Sequence, residues 1–278
     1  MFKDRKLIIA TKHEKEKVIA PILEKELGVF CFVDKNFDTD ILGTFTGEVE
    51  RKLDPISTLR QKCLLAMELN NCDLGVASEG SFGPHPTIFF VNADDELIIF
   101  IDKKNDLEII VRELSTSTNF NGKEIRSEVE LTEFVHLVNF PSHGVILRKT
   151  EGENEGIVKD MADFVQLKEA FRQLFSSFQS VYAETDMRAM NNPTRMQVIA
   201  IATEKLIEKI NSLCPNCNLP GFGITDMKKR LKCSLCGSPT NSTLSHIYTC
   251  QHCDHKKEKM YPNLITAQDP MYCNYCNP

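Results

Sequence analysis

The sequence predicts an α/β protein, with a mixed sheet flanked by helices, followed by a small C-terminal zinc-ribbon domain with two four-cysteine sites. Three observations carry this expectation. Short apolar runs alternate with segments of helical period through the first 213 residues, the pattern of strands and helices packed in layers. Two β-rich runs follow one another directly, which makes part of the sheet antiparallel. Eight of the eleven cysteines crowd into the last 65 residues as four C-x-x-C pairs.

In order, residues 6–11 (KLIIAT) form an apolar run too short for a helix and read as a buried strand. Residues 14–27 place Val18, Ile19, Ile22, Leu23 and Leu27 at helical spacing, with Gly28 as a stop. Phe30 to Val33 give a second strand, and 34–54 read as a loop or loosely held hairpin. Pro55 and Ser57 then precede a helix bearing Leu59, Cys63, Leu64 and Met67 on one face. Residues 73–78 are a strand entering a turn-rich stretch, EGSFGPHP. TIFFVN and ELIIFID read as a hairpin turning at Ala93-Asp94-Asp95. LEIIVRELS and VILRK are further strands, with ELTEFVHLVN a helix between them. A helical hairpin occupies about 160–212: one helix at 160–182, with Phe164, Leu167, Phe171, Leu174, Phe175 and Phe178 on its apolar face, and one at 194–212 capped by Thr194. The boundaries that follow are 1–213 for the α/β domain and 214–278 for a double zinc ribbon.

The net charge of −6 argues against a protein that coats nucleic acid as a whole. Its distribution is uneven. Residues 214–278 carry six Lys and one Arg against three Asp and one Glu, hence +3, which leaves −9 for residues 1–213. No apolar run approaches the ~18–20 residues a membrane span requires, so no membrane partner is expected. The opening MFKDRKLIIATKHEKEK does not read as a signal peptide, so the expected location is cytoplasmic, where disulfides do not persist.

Thiolates two residues apart can converge on one ion, and two such pairs supply the tetrahedral four-sulfur shell that Zn²⁺ prefers. Separations of 15 residues from Cys217 to Cys233 and 19 from Cys253 to Cys273 suit two sequential sites. These are Cys214/Cys217/Cys233/Cys236 and Cys250/Cys253/Cys273/Cys276. An interleaved arrangement, in which the first pair shares an ion with the third, uses the same eight ligands. Closed shells make both zincs structural. On the ribbon, the run Lys228, Lys229, Arg230, Lys232 with Tyr248, Tyr261, Tyr272 and Tyr275 suits a single-stranded nucleic acid held by charge and stacking, or a protein partner. Ordinary solvated lysines give the same composition.

In the α/β part, Ser78-Glu79-Gly80-Ser81 and His85 follow a strand, and ligands of open α/β sheets sit beyond the carboxyl ends of strands. Glu79 can hold a divalent ion there, with Glu48 from the preceding loop as a second carboxylate. Ser81 offers a hydroxyl, and His85, fixed between two prolines, suits acid–base work. Lys12 and Lys15, at the end of the first strand and the start of a helix, suit a phosphate. Arg188, in Glu184-Thr185-Asp186-Met187-Arg188, can close over the same ligand or simply pair with its acidic neighbours.

ATKHEKEKVIAP, ASEGSFGPHP, ETDMRAMNNPTR and the terminal DPMYCNYCNP resemble an uncharacterised, mainly bacterial family of unknown function. Residues 7–102 also resemble, more distantly, the inosine/xanthosine triphosphate pyrophosphatases and the Maf-type nucleotide pyrophosphatases. Thr11, His13 and Lys15 to Lys17 lie where those families have a phosphate-binding turn, and Ser78-Glu79-Gly80-Ser81 lies at their acidic turn. This second resemblance implies an Mg²⁺-binding role for Glu79. The expectation is a metal-dependent phosphohydrolase or pyrophosphatase acting on a nucleotide or similar phosphate ester, with Mg²⁺ as cofactor. The alternative is a non-catalytic zinc-ribbon protein that recognises a nucleotide, a nucleic acid or a protein.

Overall fold

The computed structural model describes residues 1–37, 53–153 and 155–278. The chain divides into two compact units, Met1–Leu206 and Ile207–Pro278. The division falls inside a helix rather than at the residue 213 boundary expected from the cysteines.

The first unit is built on a five-stranded mixed sheet of order β2-β1-β3-β4-β5. Its strands are β1 (Lys6–Ala10), β2 (Phe30–Phe32), β3 (Leu74–Pro84), β4 (Asn92–Asp102) and β5 (Leu107–Ser115). β1 pairs in parallel with β2 and β3, and β3, β4 and β5 follow as antiparallel neighbours. Helix α1 (Glu16–Leu27) connects β1 to β2 and stops at Gly28, whose φ of 66° is the left-handed conformation that costs glycine little. Helix α2 (Pro55–Leu69) begins where the Asp54 side chain accepts the backbone N–H groups of Ile56 and Ser57, with Pro55 in its first turn. Leu59, Cys63, Ala66 and Met67 of α2 pack on Ile8, Ala10, Ala77, Ile99 and Ile101. Gly75 permits this approach, because a Cβ there would lie 2.6 Å from Met67 Cγ.

The expected hairpin at 93–95 is replaced by a larger one. β3 does not end at residue 78 but runs on through the supposed turn to Pro84, and it pairs with β4 from Leu74↔Asp102 to Pro84↔Asn92. The chain reverses over 85–91, so Thr87 to Val91 form the tip rather than a strand. Phe89 and Phe90 are 78% and 89% exposed there. Ser78-Glu79-Gly80-Ser81 therefore lies within a strand. Both Gly80 and Gly83 belong to this extended run, and no turn forms at either.

A second, three-stranded antiparallel sheet of order β6-β8-β7 belongs to the same unit. It comprises β6 (Gly122–Ile125), β7 (Val145–Arg148) and β8 (Val181–Thr185), with α3 (Glu128–Leu137) and α4 (Phe164–Phe178) packed on it. Leu167, Phe171, Leu174, Phe175 and Phe178 of α4 face this core as the spacing predicts. The helical hairpin is corrected: β8 separates α4 from α5 (Pro193–Asn211). The α5 cap is Asn192, whose Oδ1 accepts the Arg195 N–H at 3.0 Å, and not Thr194.

The second unit carries β9 (Gly223–Lys229), β10 (Thr243–Thr249) and β11 (Lys256–Met260), an antiparallel sheet of order β11-β10-β9. No helix of the described chain is long and apolar enough to cross a membrane.

Candidate functional site

In the C-terminal unit the eight cysteines form two groups, Cys214/Cys217/Cys250/Cys253 and Cys233/Cys236/Cys273/Cys276. The sequential pairing is thus corrected to the interleaved one, and the sheet supplies the reason. β9 is seven residues long, roughly 23 Å, so the pair before it and the pair after it lie at opposite ends. Antiparallel pairing sets Gly223, at the start of β9, opposite Thr249, at the end of β10, which brings the first and third pairs together. Cys233 bridges to Gln268, which brings the fourth pair to the second.

Each C-x-x-C folds alike. The N–H four residues after the first cysteine bonds back to its carbonyl, from Asn218, Gly237, Asp254 and Asn277, at 2.8 to 3.0 Å. Asn218, Gly237 and Asp254 take left-handed backbone with φ of 57°, 71° and 54°. A tetrahedral centre with metal–sulfur bonds of ~2.3 Å sets its sulfurs ~3.8 Å apart. The cross-pair Sγ distances are 3.7 and 3.6 Å in one group and 3.8 and 3.6 Å in the other. Both groups therefore fit a metal of zinc's size. No histidine joins them among the described residues; the His255 ring lies tilted beside Phe222 instead.

In the α/β unit the functional side chains are sorted by strand alternation. Glu79 faces α2, where Lys62 Nζ donates to its carboxylate at 3.0 Å. Ser78, Gly80 and Phe82 face the other way, opposite Ile98, Glu96 and Asp94 of β4 in the pairing register. On that side Lys15 Nζ donates to Ser78 Oγ at 3.0 Å and to the Ser78 carbonyl at 3.2 Å, and lies 3.9 Å from Glu96. Arg195, in the first turn of α5, donates through Nε to Glu96 at 2.6 Å and through Nη1 to the Met187 carbonyl at 2.5 Å, and stacks over Phe82. Gly80 makes room for this pair, since a Cβ there would sit 2.4 Å from Glu96 Oε1 and 2.6 Å from Arg195 Nη2. The two lysines meet at one point: Lys62 Nζ also lies 3.4 Å from the Ser78 carbonyl.

Asp94 completes the group. It is wholly buried, yet neither carboxylate oxygen accepts a hydrogen bond among the described residues, nor does Glu96 Oε2. Burial, then repulsion from Glu96, push the Asp94 pKa up to about 8, against the pull of Arg195 and Lys15. Burial, then repulsion from Arg195, push Lys15 down to about 7, with Glu96 opposing. Two groups that titrate at opposite ends of the pH scale in water thus both titrate near neutral pH in the fold. Unpaired buried polar atoms and paired opposite shifts of this kind concentrate at functional sites.

Of the predicted residues, Lys15 belongs to this cluster, and Glu79 flanks it from the α2 face, held by Lys62. Lys12 lines a separate cleft of about 340 Å³ with Thr11, Glu14, Glu16, Asp34 and Lys35, so that corner is mixed in charge rather than cationic. Ser81 points to the Glu79 side of β3. His85 holds the hairpin tip, its Nδ1 accepting the N–H groups of Thr87 and Ile88 at 3.2 and 3.1 Å. Arg188 is bound to Asp186 and Asp160. Glu48 lies outside the described residues. Sequence reasoning does not bring Asp94, Glu96 or Lys62 to the site, and it does not place Arg195 with them. The signals were there: two acids two apart beside an apolar strand run, a lysine on the buried face of α2, and an arginine at a helix start, where the dipole disfavours it.

A family model described as a domain of unknown function (DUF6671) matches residues 62–278, and the chain belongs to that family. The matched span holds all eight metal-site cysteines together with Lys62, Glu79, Asp94, Glu96 and Arg195. No curated protein matches the sequence.

Proposed function

We propose that the Met1–Leu206 unit is a hydrolase of phosphate esters or phosphoanhydrides of the nucleotide kind, and that the two cysteine groups of the second unit hold structural zinc. The observation that supports the first part is Asp94: a fully buried acid with no hydrogen-bond partner among the described residues, beside Glu96, Lys15 and Arg195. Lys15 and Arg195 supply charge for a phosphoryl group, since positioning and electrostatics dominate such transfers. Asp94 has the pKa of a group able to move a proton near neutrality. Asp94 and Glu96, with three carboxylate oxygens that accept no hydrogen bond among the described residues, would also hold the Mg²⁺ of such a reaction. When bound there the ion polarises a phosphoryl oxygen. Glu79, already held by Lys62, then has a positioning role on strand β3.

The test is turnover of a nucleotide panel by the full chain with Mg²⁺. Phosphate or pyrophosphate release that falls about 100-fold or more in Asp94→Asn and in Lys15→Met supports the reading. No release from any member of the panel overturns it. Burial favours a second reading, a module that senses a phosphate ligand without turning it over, because Lys15, Glu96, Asp94 and Arg195 are each no more than 4% exposed. Calorimetric binding of a nucleotide that stays intact would select it.

The zinc assignment rests on the sulfur spacing and the all-thiolate donor set, which suits a borderline-soft ion in a closed shell. Metal analysis of about two zinc per chain supports it, and a chain without metal overturns it.

A further inference from the structure

The pairing register of the C-terminal sheet separates its charges onto two faces. Lys228, Ser245 and Glu258 lie on one face, where Lys228 Nζ donates to Glu258 at 2.9 Å and Ser245 Oγ donates to the same carboxylate at 2.5 Å. Asp226 and Lys256 belong to that side as well, so its charges are matched. The opposite face carries Met227 and Lys229 from β9, His246 and Tyr248 from β10, and Lys257 and Lys259 from β11, with His246 opposite both Met227 and Lys259. None of the residues on this face is acidic, and none of its three lysines forms an ion pair among the described residues. Like charges clustered on one sheet face disfavour folding, so a cluster without counter-ions needs some other reason to be there.

We propose that this face binds single-stranded nucleic acid along the β9-β10-β11 sheet. Lys229, Lys257 and Lys259 supply phosphate contacts. The His246 ring and the 56%-exposed Met227 between them supply a flat, partly apolar platform on which a base can stack. The Tyr248 ring, 5.7 Å from that of Phe222, closes the platform at its far end. Charge complementarity chooses this partner. An acidic polymer with flat bases matches both the cations and the rings, and an acidic protein matches only the cations. The proposal does not depend on the hydrolase reading, because the two involve different units.

The test is fluorescence anisotropy of the zinc-loaded full chain with a labelled oligouridine of about 20 nucleotides, long enough to cross the sheet face. Three phosphate contacts at ~0.7 each give a salt slope of ~2, so affinity should fall about 20-fold between ~50 and ~200 mM salt. Lys229→Gln/Lys257→Gln/Lys259→Gln should remove that salt-dependent binding while keeping its zinc, and Lys228→Gln/Lys256→Gln on the other face should leave it within about twofold. Equal loss in both variants, no salt-dependent binding, or capture by phosphatidylserine vesicles in place of the oligonucleotide would each overturn the proposal.

Discussion

Replacing the Asp94 carboxyl by an amide tests the α/β cluster without reference to any substrate. That carboxyl titrates at 3.8 in an unfolded chain and at about 8 in the fold. Between those values the folded protein holds a proton that the unfolded chain has lost. Stability therefore falls as pH rises through this window, by about 1.4 kcal/mol per pH unit. From about pH 5 to about pH 7 the loss due to Asp94 comes to about 3 kcal/mol. Lys15 has the opposite sign: its pKa drops from 10.5 to about 7, so the unfolded chain binds the extra proton and stability climbs with pH above 7. The combined contribution is lowest between about 7 and 8, where the acid has lost its advantage and the lysine has not yet regained its own.

The amide of the Asp94→Asn variant cannot ionise, so its stability profile should lack the acid limb. Hydrogen exchange of peptides spanning β4, in urea with zinc present to hold the second unit, reads the opening free energy of this sheet alone. The stability of Asp94→Asn relative to wild type should rise by about 3 kcal/mol from about pH 5 to about pH 7 and change little above about pH 8. Titrating groups remote from Asp94 cancel in the difference. A difference that stays constant within about 0.5 kcal/mol over that range would refute the reasoning, for it would mean that the carboxyl finds a partner or water and titrates normally.

Gly80→Ala should lower stability by about 1–3 kcal/mol by prising Glu96 from Arg195, whereas Gly83→Ala, with nothing within 4 Å of its new Cβ, should be close to neutral in the same thermal melt. Cys217→Ser/Cys253→Ser touches one interleaved group and should retain about one of two metals by elemental analysis; loss of both would restore the sequential pairing. If Asp94 and Glu96 take a divalent cation, millimolar Mg²⁺ at about pH 8 should raise the melting temperature of wild type and not of Asp94→Asn. Asp54→Ala should cost about 1 kcal/mol in urea unfolding, because the side chain satisfies the N–H groups of Ile56 and Ser57 at the head of α2.

What could be read in the sequence divides along the range of the interactions. α1, α2 and α4 follow from local period and punctuation, because their apolar faces repeat within one segment and Gly28 and Pro55 act on adjacent backbone. β8 could not be read that way. Val181 to Thr185 continues the composition of the helix before it, and only pairing with β6 and β7 draws it into a sheet. The β3–β4 hairpin misleads for the opposite reason. Gly80, Gly83 and Pro84 suggest turns, but eleven ladder pairs hold the segment extended, and the glycine at 80 serves to admit an ion pair from α5.

The same distinction explains the cysteines and the candidate site. Eight thiolates at C-x-x-C spacing announce metal, since the spacing is a local property. Which pairs come together is set by the direction of β9 against β10, which spacing cannot carry. Lys15 is visible because it sits beside a strand end. Its partners are not, because Ser78, Glu96 and Arg195 lie 63, 81 and 180 positions away in sequence and meet only when the sheet is wound. Once the register is known, the acid that matters is decided by parity. Glu79 is odd on β3 and turns to Lys62, while Ser78 and Gly80 are even and turn to the side where Asp94 lies buried without a partner among the described residues. A site of this kind is a product of strand alternation, so shifting β4 by one residue would carry Asp94 and Glu96 to the α2 face and dissolve the cluster, with the composition unchanged.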